Sequence, residues 1–250
     1  MHTWHWHTWQ DLPYLKCSLL DSWPHGFLTR HFSPRLPAEL VEVLQPAATA
    51  YRVKQVHGNR VLTTTTINAS TQTELQEADG LLTENPAEAV WVASADCVPV
   101  LIADTHTRNV AAVHAGWRGT AAKIVPEAIA QFQTKGSQLA NLRVVMGPAI
   151  SGPVYQVSTD VALQLSQSFN PIASLTELIQ QPNSPFLVDS EPDKVRVDVR
   201  LVNQLQLEQL GFTPEQFAIS PDCTYQTPDS FFSYRRDNLK KVQWSGIVSF

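Results

Sequence analysis

Cysteine, charge and long apolar runs are all scarce in this chain of 250 residues. Its 3 cysteines, Cys17, Cys97 and Cys223, are far apart and odd in number. That excludes a disulfide framework, which short secreted chains need and a chain of this length does not. Free thiols in a reducing compartment are the expectation. Charged residues make up 16% against 43% hydrophobic, where soluble domains average about 25% charged. Long disorder is excluded with it, because disordered chains are rich in charge and poor in apolar residues. With 18 Lys+Arg against 23 Asp+Glu the net charge is -5, so the basic stripe of a nucleic-acid surface is missing. A small anion held by a few local arginines is still compatible with that balance. No stretch reaches the ~18–20 apolar residues that span a bilayer. The start, Met1-His2-Thr3-Trp4-His5-Trp6-His7, has neither the basic opening nor the apolar centre of a signal peptide. A cytoplasmic protein without membrane association is expected, and no coiled-coil pattern asks for more than a monomer.

What is present is a series of short apolar runs. Residues 89–93, 98–103, 110–113 and 142–146 are apolar almost throughout, as strands buried on both faces must be. Between them Ala121, Ala122, Val125, Ala128, Ile129 and Phe132 recur at helical spacing, with Gly136 as a stop. Pro126 sits inside that pattern and predicts a kink or a later start. Further helices are expected from Ser158 to Phe169 and from about Asp198 to Leu210, closed by Gly211. Loops are expected at 63–76, rich in threonine, and at 181–185, where two prolines exclude regular structure. There is no internal repeat. The pattern predicts one domain over 1–250, α/β or α+β, with mixed β-sheets packed between helices.

Four segments put reactive or charged groups at the edge of apolar runs: Lys54-Gln55-Val56-His57-Gly58, Ser94-Ala95-Asp96-Cys97-Val98-Pro99, His114-Ala115-Gly116-Trp117-Arg118-Gly119-Thr120 and Phe231-Phe232-Ser233-Tyr234-Arg235-Arg236-Asp237. Strand ends of open sheets deliver side chains into clefts in this way. His57, Cys97 and His114 are two imidazoles and a thiol, a ligand set suited to zinc with a fourth position left open. Their spacing matches no local zinc signature, and each taken singly reads more readily as structural. Arg118 between two glycines at a strand-to-helix turn reads as an anion contact or as a plain surface arginine. Arg235 and Arg236 read as phosphate or base contacts or as a solvated ion pair with Asp237, and Arg30 is equally ambiguous. His5-Trp6-His7 is the one H-x-H pair; it reads as a frayed or edge strand before it reads as a copper or zinc site.

Taken in order, these segments resemble the laccase-domain family of bacterial YfiH-like proteins, also described as multicopper polyphenol oxidoreductases and as purine nucleoside phosphorylases. The resemblance rests on K-Q-V-H-G at 54–58, A-D-G-L at 78–81, A-D-C-x-P at 95–99, H-A-G-W-R-G at 114–119, G-P-x-I at 147–150 and F-F-S-Y-R-R-D at 231–237. The chain departs from the family pattern at Tyr155-Gln156-Val157 and at Asn238-Leu239-Lys240-Lys241, and the stretch between Arg30 and Lys54 is short. The resemblance implies a YfiH-like sandwich whose metal ligands are His57, Cys97 and His114. It also implies phosphorolysis of adenosine, inosine and methylthioadenosine, with deamination of adenosine.

On that footing zinc is the expected metal, copper the alternative, and a purine nucleoside with phosphate the expected partners. Cys97, Asp96, Asp79 and Arg118 are the expected catalytic residues, the two carboxylates being candidates for moving protons. Arg30, Lys54, Arg235 and Arg236 are the expected substrate contacts. Two other chemistries compete. One is a metal-free cysteine hydrolase with Cys97 as nucleophile and His114 as base. The other is a copper phenol oxidase, which needs several H-x-H pairs where the chain has one. A non-enzymatic nucleoside-binding protein is the remaining possibility.

Overall fold

Strands that are apolar at every position need cover on both sides, and the chain supplies it by stacking two sheets and flanking them with helices. The computed structural model describes residues 2–67 and 75–250. In chain order the elements are β1 (Trp4–Trp9), β2 (Leu12–Cys17), β3 (His25–Leu28), α1 (Pro37–Leu44), β4 (Thr49–Tyr51), β5 (Val61–Thr63), β6 (Gly80–Leu82), β7 (Glu88–Ser94), β8 (Val98–Asp104) and β9 (Val110–Ala115). There follow α2 (Trp117–Ala121), α3 (Ile124–Thr134), β10 (Leu142–Met146), β11 (Gln156–Ser158), α4 (Thr159–Gln167) and α5 (Leu175–Gln180). The chain ends with β12 (Phe186–Val188), β13 (Lys194–Val197), α6 (Val199–Gln209), β14 (Phe217–Ile219), α7 (Tyr234–Asp237) and β15 (Gln243–Val248).

One sheet has the order β1-β2-β3-β15-β7-β4 and the second β14-β10-β8-β9-β6-β5; β11, β13 and β12 form a small third sheet. Alternation along β8 shows the layering. Val98, Val100 and Ile102 pack with Ile129 and Phe132 of α3, while Leu101 and Ala103 face Val90, Val92 and Phe27 of the first sheet. The far side of the first sheet, through Trp91 and Leu28, is covered by Leu40 and Val41 of α1. The sequence of layers is therefore helix, sheet, sheet, helices, in the mixed class expected. Burying each large apolar side chain of such layers is worth roughly 1.5–3 kcal/mol.

The predicted strands coincide with β7, β8, β9 and β10, and two predicted helices with α4 and α6. The helix expected across Ala121 to Phe132 is divided. Lys123 takes a left-handed conformation (φ 60°, ψ 43°) between α2 and α3. Pro126 then falls in the first turn of α3, where its missing N–H has no intrahelical partner to lose. The loop at 181–185 lies between α5 and β12. Of the loop expected at 63–76, Thr64–Thr66 form a single 3-10 turn, and 68–74 lie outside the described residues. His5 and His7 lie on β1, the edge strand of the first sheet. Among the described residues no helix is long and apolar enough to cross a membrane.

Candidate metal centre

Sheet register brings the separated motifs together. In the β8–β9 pair Val98 lies opposite Ala115 and Pro99 opposite His114, so Cys97, just before β8, reaches the end of β9. On the other side β9 pairs with β6, and the His114 N–H donates to the Asp79 carbonyl at 2.7 Å. Asp79 is fully buried. Its carboxylate accepts the backbone N–H groups of Val56 (3.2 Å), His57 (2.9 Å) and Gly58 (2.7 Å), which fixes the loop carrying His57. His57 sits at φ 62° in that loop, a left-handed conformation that the three bonds hold in place.

The same carboxylate lies 2.9 Å from His114 Nδ1. An ionised carboxylate only accepts, so Nδ1 carries a proton, and Nε2 is the nitrogen that a metal would take on displacing the proton there. The Asp79 carboxyl stays below its ordinary range: burial opposes the charge, but the His114 and backbone hydrogen bonds outweigh it. His57 and His114 stand nearly perpendicular, at 82°, with ring centroids 4.9 Å apart. One nitrogen of each ring and the Cys97 sulfur all lie within 4.8 Å of one another. Among the described residues this is the one such group of three or more.

Charges within the cluster are strongly coupled. Burial works against a Cys97 thiolate, yet the charge and hydrogen bond of His114, then those of His57, bring its pKa down to about 6. His114 moves the other way, to about 9: burial disfavours its charge, and the Cys97 thiolate and Asp79 overcome it. A thiolate beside two imidazoles, one oriented by a carboxylate and the other at the exposed rim, is a donor set that fits a three-ligand zinc ion with an open position. The residues present thus fit the metal.

Gly116 and Gly119 let the turn after β9 close over this cluster. A Cβ at Gly116 would lie 2.9 Å from Cys97 Sγ and 3.3 Å from His57 Cδ2, and one at Gly119 would lie 2.8 Å from the Gly58 carbonyl. Beside Cys97 there is a cavity of about 30 Å³, lined by Trp117, Ile150, Tyr155 and Val199 among others. Burial, with the nearby Cys97 charge, pushes the Tyr155 hydroxyl up to about 12 against the opposing pull of Arg235.

The other expected residues divide into those facing this space and those engaged elsewhere. Asp96, at φ 96°, lines the cavity but accepts from Thr224 Oγ1 and the Arg235 N–H, both at 2.7 Å. Arg235 lies 4.8 Å above the Tyr155 ring and donates to the Gln156 carbonyl. Arg118 stacks on Trp117 at 4.3 Å. Arg236 gives its guanidinium N–H groups to Asp237 and to the carbonyls of Thr224, Tyr225 and Phe231, an internal strap. Arg30 donates to the Pro228 carbonyl and lies 4.7 Å over Phe232, and Lys54 pairs at the surface with Glu77. Sequence reading missed Thr224 as the partner of Asp96 and Tyr155 as a wall of the cavity. No spacing in the sequence signals either contact, because both depend on loops 128 and 58 residues away from Asp96 and Cys97 (224 − 96 and 155 − 97).

Comparison with known proteins gives the family and the fold. A purine nucleoside phosphorylase of Synechocystis sp. (strain ATCC 27184 / PCC 6803 / Kazusa) is 51% identical over 260 residues, spanning 99% of this chain and 97% of that protein. One of Bacillus subtilis (strain 168) is 31% identical over 202 residues, spanning 78% and 68%. Among solved structures, YlmD from Geobacillus stearothermophilus superposes with a TM-score of 0.82 at 23% identity, covering 98% of both chains. YfiH from Bacillus licheniformis gives 0.80 at 25% identity, covering 95% and 96%. Residues 37–247 match the family described as multi-copper polyphenol oxidoreductase laccase, and with the likeness to YlmD and YfiH, this chain belongs to that laccase-domain, YfiH-like family.

Proposed function

We propose that this chain is a zinc-dependent purine nucleoside phosphorylase acting on adenosine, inosine and methylthioadenosine, with adenosine deaminase activity at the same centre. The observation that carries the reading is the convergence of His57, Cys97 and His114 within 4.8 Å beside a small cavity, two of whose walls, Trp117 and Tyr155, are stacked by Arg118 and Arg235, in a chain whose relatives are named purine nucleoside phosphorylases. When bound, zinc would supply a Lewis acid with one position open to substrate or water. In phosphorolysis a phosphate oxygen attacks C1′ of the ribose, the C1′–N9 bond breaks, and N9 takes the electron pair and then a proton. In deamination water adds at C6 and ammonia leaves.

The chain's own residues position these partners. Asp79 acts through His114, fixing its tautomer and the loop of His57, so it is a positioning residue. Asp96 holds the turn of Arg235 and, as a cavity wall, is the nearer carboxylate for a proton. Arg118, stacked on Trp117, would neutralise phosphate, and Arg235, stacked on Tyr155, would meet the nucleoside at the cavity wall; oriented charge of this kind favours the transition state over the ground state. Lys54 and Arg236 support the site from outside the cavity. The copper oxidase implied by the family's description fits less well, because the one cluster of three ligands among the described residues cannot furnish several copper sites.

The Cys97–His114–Asp79 chain also supports a metal-free cysteine hydrolase, since a thiolate, an imidazole and an orienting carboxylate are in series. A second imidazole within 4.8 Å of the sulfur has no part in such a triad and favours the metal. The experiment is metal analysis of the purified protein, with product identification from inosine and adenosine in the presence and absence of phosphate. Phosphate-dependent release of base, lost on chelation and in Cys97→Ala, is expected. Turnover that survives chelation, with Cys97 trapped by an alkylating reagent, would instead establish the hydrolase.

A further inference from the structure

The cavity beside Cys97, about 30 Å³, has room for little more than one or two water-sized groups. A nucleoside and a phosphate cannot both enter it, so most of the substrate has to lie outside. Trp117 is the wall this cavity shares with a much wider groove of about 460 Å³ between α2 and α4. Besides Trp117, the groove is lined by Arg118, Lys123, Gln164, Gln167 and Ser168, with two alanines. It therefore carries two cations, two primary amides and no carboxylate; the Ser168 hydroxyl already donates to the Leu165 carbonyl. That lining suits an anion rich in hydrogen-bond acceptors and rejects a cation.

Two further observations set these cations apart. Among the described residues most arginines and lysines near the centre are already engaged: Arg30, Arg235 and Arg236 with carbonyls or carboxylates, Lys54 with Glu77. Among the described residues no ion pair engages Arg118 or Lys123, and the one contact of the Arg118 guanidinium is its stacking on Trp117, with its N–H groups left for a ligand. Lys123 also occupies a left-handed position, φ 60° and ψ 43°, where glycine would be free of strain. The break that this residue makes between α2 and α3 places it in the lining of the groove.

We propose that the α2–α4 groove is the phosphate seat of the enzyme, with Lys123 and Arg118 binding the phosphoryl oxyanion and Gln164 and Gln167 donating to its remaining oxygens. This rests on the phosphorylase reading and names the side of the site from which the attacking anion comes, across Trp117 from the metal centre. Lys123 belongs to none of the motifs that carry the family resemblance, so it is a further binding residue for the reaction.

The test separates binding from turnover. Inorganic phosphate is titrated calorimetrically into the metal-loaded wild type, Lys123→Gln and Gln167→Ala, and KM values for phosphate and for inosine are measured on the same preparations. In Lys123→Gln the phosphate Kd and KM should rise together by about tenfold or more, the loss expected for one charge-assisted hydrogen bond, with the inosine KM within about twofold. A smaller rise of both in Gln167→Ala is expected. An unchanged phosphate Kd in both variants would overturn the assignment even if phosphorolysis is confirmed. Weakened phosphate binding in a protein that does not phosphorolyse nucleosides would keep the anion seat and refute the phosphorylase reading. A nucleoside 5′-monophosphate serves as the second probe: if Lys123→Gln weakens that ligand and leaves inorganic phosphate untouched, the groove holds a substrate's own phosphate and the assignment to the attacking anion falls.

Discussion

Asp79→Asn isolates the residue on which the metal centre is built. The exchange keeps shape and volume and converts one acceptor oxygen into an NH2 donor. Oδ2 receives the N–H groups of Val56 and Gly58, and Oδ1 those of His57 and His114. With the amide NH2 toward Val56 and Gly58, two donors then face a donor in a fully buried site. Each buried polar group left without a partner costs about 1–3 kcal/mol, so a loss of about 4 kcal/mol is expected. For a chain of this size that corresponds to a Tm lower by about 8–16 °C. If the amide NH2 points at His114 instead, the ring is driven to the other tautomer, with its proton on the Nε2 that faces Cys97. Metal affinity then falls as well, by about 10–100-fold for loss of such an orienting partner. Calorimetric unfolding of metal-free protein measures the first effect, and competition of zinc against a chelator of known affinity measures the second. A variant with the parent's Tm and zinc affinity would refute the reasoning, since it would mean that the four contacts to Asp79 neither hold the 56–58 loop nor orient His114.

The central layers were legible because their strands are buried on both faces, which leaves no ambiguity of pattern: all seven residues of β8 and all six of β9 are buried. The faces of α4 and α6 were readable for a different reason, because their buried residues, such as Ala162 and Leu165 or Val199, Val202 and Gln206, recur at helical spacing. What escaped was what the sequence expresses only through distant contacts. The division of α2 from α3 depends on one left-handed lysine, a residue with no propensity for that conformation. The helices α1 and α5 are short and their patterns brief. At the centre, the ligand trio was legible as chemistry and through motif resemblance, but not by spacing, because it is assembled by the β6–β9–β8 register. The electrostatic ambiguity of Arg236 is resolved by Thr224, Tyr225 and Phe231 carbonyls, which no side-chain pattern encodes. Asp79 was marked as a possible proton carrier; its burial and its four donors were invisible until the loop and the strand were side by side.

Three further perturbations probe the same framework. Gly116→Ala should lower zinc affinity by about tenfold or more with little change in the Tm of the metal-free protein. The glycine's backbone, φ -68° and ψ 168°, suits any residue, so the obstacle is the approach of the new Cβ to two ligands, 2.9 Å to Cys97 Sγ and 3.3 Å to His57 Cδ2. An alanine with full affinity would show that this turn can yield. Gly246→Ala, whose Cβ would lie 2.4 Å from the buried Trp91 ring, should destabilise the first sheet by about 1–3 kcal/mol or more in urea unfolding; a neutral result would contradict the packing of β15 on β7. The third concerns pH. His25 is buried, accepts the Cys17 N–H at Nε2 and approaches the Trp23 carbonyl with Nδ1, and burial lowers its pKa from 6.5 to about 4. Between those values the unfolded chain binds a proton that the folded chain refuses, so stability rises with pH. The contribution is complete above pH 6.5 and is lost as pH falls toward 4, reaching about 2 kcal/mol by pH 5 when the 2.5-unit difference is carried through the linkage relation. His25→Gln removes the titrating ring, so urea unfolding of parent and variant at pH 7 and pH 5 should diverge by that amount, the parent losing more. Equal losses in the two proteins would mean that His25 accepts its proton within the fold, and that burial is not what keeps the ring neutral.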